Sequence, residues 1–111
     1  MNKKCMNIND PKYNYLKVYR QLVLIEDHIN NKNERCRSCL FKHVNTVIAL
    51  LEEASQLDSE KHYFSINNKL QTEVALILVK IWKNNISERE LHDMGQKVRS
   101  IRKIVSGFFG I

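Results

Sequence analysis

Four residues suited to binding a metal such as zinc fall within sixteen consecutive positions: His28, Cys36, Cys39 and His43, spaced H-x7-C-x2-C-x3-H. The whole chain has only three cysteines and four histidines, so this grouping is concentrated. Two thiolates and two neutral imidazoles form a charge-neutral tetrahedral donor set for Zn2+, and four protein ligands close the site, as a structural zinc requires. Two other chemistries use the same residues. Cys36 and Cys39 could act as a redox dithiol, or all four could be ordinary solvated or inert side chains. Other catalytic patterns are missing. Glu26-Asp27-His28 lacks the spacing of HExxH metalloproteases, and no cysteine pair follows a proline as in zinc deaminases. No glycine precedes Gly95, which excludes a P-loop or a GxGxxG turn.

Positioning these ligands falls to helices. With one proline and three glycines in 111 residues, the chain lacks the turns a sandwich or barrel needs. Asp10-Pro11 signals a helix start, and Tyr15, Val18, Leu22, Ile25 and Ile29 then recur at spacings of three and four until Asn30-Asn31. A second helix is predicted from about Cys36–Cys39 to Leu57, with Leu40, Val44, Val47, Ile48, Leu51 and Ala54 facing the core. Cys39 and His43 are i and i+4 on it and share a face. If the first two helices form an antiparallel αα-hairpin, His28 at the end of one meets Cys36 at the start of the other.

The third helix is expected over about 66–83. Leu70, Val74, Ile77, Leu78 and Ile81 form its main face, while Ala75, Val79 and Trp82 make it apolar nearly all round, predicting a central, well-covered helix. Ser87 and Glu90 form a capping box for the fourth. There Leu91, Met94, Val98, Ile101, Val105 and Phe108 repeat 3-4-3-4-3, and Gly107 and Gly110 are expected to end the helix. The expected fold is therefore all-α: a small four-helix bundle whose αα-hairpin is stapled by a structural zinc site. Residues 1–9 form a flexible basic N-terminus, 10–106 a single helical zinc-binding domain, and 107–111 an apolar tail.

Leu24-Ile25-Glu26-Asp27-His28, Arg35-Cys36-x-x-Cys39-x-x-Lys42-His43 and Glu52-Glu53-Ala54-x-x-Leu57-Asp58 together resemble a group of small helical proteins of large DNA viruses and phages. Their shared pattern is EDH…RCxxCxxKH…EEAxxLD, and it covers about a third of this chain. The resemblance implies a viral protein and a place in the virus particle, but no activity. The small flavin-linked sulfhydryl oxidases share a CxxC before a helix. Their Trp-to-His-Asn pattern is absent, because Trp82 is followed by Lys83-Asn84-Asn85.

The net charge of +6 lies at the two ends, at about +4 over residues 1–20 and +3 over 81–111, with about −3 over 21–60. The absence of an apolar leader and the odd cysteine count lead us to expect an intracellular protein of the host cytoplasm or nucleus, or of the virion, rather than a secreted one. No stretch is apolar for long enough to form a transmembrane segment. Three functions are weighed. The first is a non-enzymatic structural or adaptor protein that contacts a protein partner or a second copy, with Phe108, Phe109 and Ile111 as docking residues. The second is nucleic-acid binding through Lys97, Arg99, Arg102 and Lys103, with support from basic residues of the first helix. The third is thiol–disulfide exchange at Cys36 and Cys39.

Overall fold

The computed structural model describes residues 10–31, 36–82 and 86–111, so the expected N-terminal segment 1–9, including Cys5, lies outside it. These residues form four helices: α1 (Pro11–Asn30), α2 (Arg37–Leu57), α3 (Phe64–Trp82) and α4 (Glu88–Phe109). No strand occurs among the described residues.

Each helix begins where a local side chain can satisfy free backbone N–H groups. The Asp10 carboxylate accepts from the N–H of Lys12, and Pro11 occupies the first turn. Before α3, the Asp58 carboxylate accepts from the N–H groups of both His62 and Tyr63. Lys61 in that turn takes φ 58°. Ser87 and Glu90 make both halves of the expected capping box on α4.

The helices pack antiparallel in sequence. Asn14 donates to the carbonyl of Leu50 and the carboxylate of Glu53, while Gln21 meets His43, so α1 and α2 run in opposite directions. Arg37 meets Ile81 and Trp82, and Asn67 meets Leu51, which orients α3 against α2. Tyr15 stacks on Phe109 and Glu26 holds Arg99, which orients α4 against α1. At Gly95 the α4 backbone lies against the Ile29 side chain of α1, where an added Cβ would sit 3.3 Å from Cγ2 of Ile29. The core runs through Tyr15, Leu22, Ile25, Leu51, Leu70, Ile81, Met94 and Ile101, each almost fully buried.

Two expectations give way. The inner helices are α1, packed between α2 and α4, and α2, packed between α1 and α3, whereas α3 rests on α2 and barely touches α4. Leu76, Val79 and Trp82 are consequently 51%, 64% and 68% exposed. The all-round apolar pattern of α3 reflects an uncovered outer stripe rather than a surrounded helix. In α4 the helix continues past Gly107 to Phe109 and ends at Gly110, whose φ of 69° is the left-handed conformation a glycine adopts without strain. The buried series is Met94, Val98, Ile101, Val105 and Phe109, so Phe109 takes the place expected of Phe108. Residues 107–109 form the last part of α4.

Candidate metal centre at the helix-hairpin corner

The hairpin brings His28, Cys36, Cys39 and His43 to one end of the α1–α2 pair. His28 lies in the last turn of α1, and Cys36 is the N-cap of α2. The imidazole rings of His28 and His43, on different helices, stack with centroids 5.2 Å apart. Nδ1 of His43 lies 2.9 Å from Oε1 of Gln21. That amide oxygen can only accept, so Nδ1 carries the proton and Nε2 keeps its lone pair. Burial, followed by the nearby His28 and Lys42, holds the His43 pKa below its ordinary value and favours the neutral ring.

Cys36 and Cys39 are joined as a disulfide with Cα atoms 5.0 Å apart. The backbone N–H of Cys39 donates to Sγ of Cys36 at 3.2 Å, and the Ser38 hydroxyl donates to the same sulfur at 3.2 Å. After reduction these donors, together with the positive end of the α2 dipole, would favour a thiolate at Cys36. Among the described residues, no three His, Cys, Asp or Glu groups are arranged to hold a metal ion. The donor types still fit zinc. Reduction would free two thiolates, Cys39 one turn and Cys36 two turns before the neutral His43 imidazole, whose Nδ1 is already held by an amide oxygen in the way an outer-shell acceptor holds a metal-bound histidine.

Beside the cysteines lies an open groove of about 600 Å3, lined by Arg37, Ser38, Phe41 and Trp82. Phe41 and Trp82 are in ring contact, with centroids 5.1 Å apart. Arg37, between the two cysteines in sequence, donates from Nε to the carbonyl of Ile81 at 2.8 Å and from Nη2 to that of Trp82 at 2.5 Å. It caps the C-terminus of α3. Neither Gln21 nor Arg37 is marked by any sequence signal, since both depend on contacts between helices.

The remaining candidate residues are dispersed. Arg99 and Arg102 each donate from Nε to one oxygen of the Glu26 carboxylate at 2.9 Å, tying α4 to α1. Lys97 pairs with Glu73 of α3 at 2.5 Å, and Lys103 is exposed. Phe109 is buried against Tyr15, with ring centroids 4.1 Å apart, whereas Phe108 and Ile111 are exposed. His62 lies against Glu60 at the surface. No helix among the described residues is long and apolar enough to cross a membrane. No protein-family profile, curated protein or solved structure matches this chain.

Proposed function

We propose that this chain is a non-enzymatic helical adaptor, pinned by zinc at the α1–α2 corner and working through protein–protein contacts. The observation that carries the metal assignment is the Gln21 hold on Nδ1 of His43. It fixes the tautomer that leaves Nε2 free, one helical turn after Cys39 and beside the His28 ring. A closed set of two thiolates and two imidazoles at the mouth of a hairpin would contribute on the order of 10 kcal/mol to folding in favourable cases. Such a site needs reduced cysteines, hence a reducing intracellular compartment.

The adaptor assignment draws on the outer stripe of α3. Leu76, Val79 and Trp82 form an exposed apolar line that runs into the Phe41 groove at the metal corner. Phe108 and Ile111 offer a second, smaller apolar surface. The partner is another protein or a second copy, and the resemblance to small viral proteins extends the proposal to a component of the particle. Nucleic-acid binding has less support, because Arg99 and Arg102 share the Glu26 carboxylate and Lys97 is paired.

The test is the metal content and thiol state of reduced protein purified without added zinc. One zinc per chain, with Cys36 and Cys39 resistant to alkylation until a chelator is added, is the expected result. Metal-free protein with freely alkylated thiols overturns the zinc assignment. The bonded sulfurs favour a second reading, thiol–disulfide exchange at a helix N-terminus. Catalysed reduction of a substrate disulfide that is lost in C36S would support it.

A further inference from the structure

We propose that the Cys36–Cys39 corner is a thiol switch for the end of α3: closing the ring between the two sulfurs, by a disulfide or by the metal, holds Arg37 on the α3 carbonyls. In its metal arm this rests on the zinc reading above. Arg37 and Ser38 are the two residues enclosed between the cysteines, and the Arg37 guanidinium is the group that satisfies the carbonyls of Ile81 and Trp82. Those carbonyls belong to the last turn of α3. The same guanidinium forms one wall of the Phe41–Trp82 groove. Any change in the backbone at position 37 therefore reaches both the α3 terminus and the groove.

The disulfide ties both flanks of Arg37 together. A zinc ion bound to both sulfurs would close a comparable ring. In the reduced, metal-free form neither closure exists, and the first turn of α2 frays as helix ends do. Arg37 then leaves the α3 carbonyls to water, and Trp82 loses its neighbour.

Passage between the forms balances with an external disulfide as oxidant. The Cys36 thiolate attacks a low-molecular-weight disulfide, forms a mixed disulfide and expels one thiolate. The Cys39 thiolate then attacks the Cys36 sulfur and expels the second. The protein loses two electrons and the external disulfide gains them; any zinc held by the two thiolates would lose those ligands and be released as the divalent ion.

Hydrogen exchange at the amides of Lys80, Ile81 and Trp82 tests the coupling, with α1 amides as an internal reference for folding. Three forms are compared: oxidised by glutathione disulfide, reduced and metal-free, and reduced with zinc. Exchange in the last turn of α3 is expected to be on the order of tenfold faster in the reduced, metal-free form than in the other two. In R37A it is expected to be fast in all three, and R37K, which keeps the charge but not the forked geometry, should fall between. Equal rates in the oxidised and reduced metal-free forms overturn the switch, as does a difference that survives in R37A. If zinc does not bind, the reduced forms with and without zinc coincide. That result refutes the metal arm, while the disulfide–dithiol comparison still decides the coupling.

Discussion

Glu26 is a carboxylate that folding has nearly removed from water, with its side chain 10% exposed, and it is held by two guanidinium groups from another helix. Replacing it with Gln keeps the volume and removes the charge. The two hydrogen bonds are not equivalent. Arg102 is 24% exposed and Arg99 is 47% exposed, so water already competes for Arg99. A charge-assisted bond to a mostly buried partner contributes roughly 1.5 kcal/mol, and one half in water roughly 0.5 kcal/mol. E26Q should therefore lose about 2 kcal/mol, or roughly 8 °C in midpoint for a domain of this size.

The dependence on pH carries a sign. Burial raises the Glu26 pKa, but hydrogen bonds from Arg99 and Arg102 outweigh it and hold the value below the ordinary 4.5. A depressed acid stabilises the fold above its unfolded pKa and loses that contribution as pH falls through the folded value. The gap between wild type and E26Q should be full at neutral pH, shrink as pH falls below the ordinary 4.5, and close once pH passes below the depressed folded value. Urea unfolding across that range is the assay. A gap under about 0.5 kcal/mol at neutral pH, or one that persists in acid, refutes the assignment of Glu26 as the α1–α4 clamp. E26L separates charge from packing. If it matches wild type, the ion pair does no more for stability than an apolar side chain of similar size would.

Three further outcomes are expected. G107A, in a helical position with open space for a methyl group, should stabilise by about 0.5 kcal/mol, whereas G110A at positive φ should destabilise by about 1 kcal/mol; thermal unfolding of both checks the signs. Y15F removes the phenol oxygen that accepts from Nδ2 of Asn67 at 2.7 Å and should cost about 1 kcal/mol in urea unfolding, limited because that amide also donates to the Leu51 carbonyl. The depressed His43 pKa, set by burial and then by His28 and Lys42, makes the metal-free fold lose stability as pH falls below the ordinary 6.5; unfolding at about pH 7.5 and about pH 5.5 should show the drop, and H43Q should lose it.

Local chemistry was legible in the chain. Asp10-Pro11 and Ser87 with Glu90 mark helix starts because a cap forms within one turn and needs nothing from the rest of the fold. The apolar faces of α1 and α2 could be read from spacing, and the hairpin they imply brings His28 to the corner where it stacks on His43. Which helix is surrounded could not be read this way. An apolar pattern says how much surface is available for burial, and only the packing order of the helices says whether neighbours exist to cover it. So α3, the most apolar helix, lies at the edge with Val79 and Trp82 in water, while α1 and α2 take the inner positions. The exchange of Phe108 for Phe109 has a similar origin. Two adjacent aromatics lie about 100° apart on a helix, and the stack with Tyr15 selects one of them. The ligand types at the corner come from sequence, but the support around them does not. Gln21 on His43, Arg37 on the α3 carbonyls and Glu26 between two arginines are contacts between residues 22 to 76 positions apart, and only the assembled fold can make them.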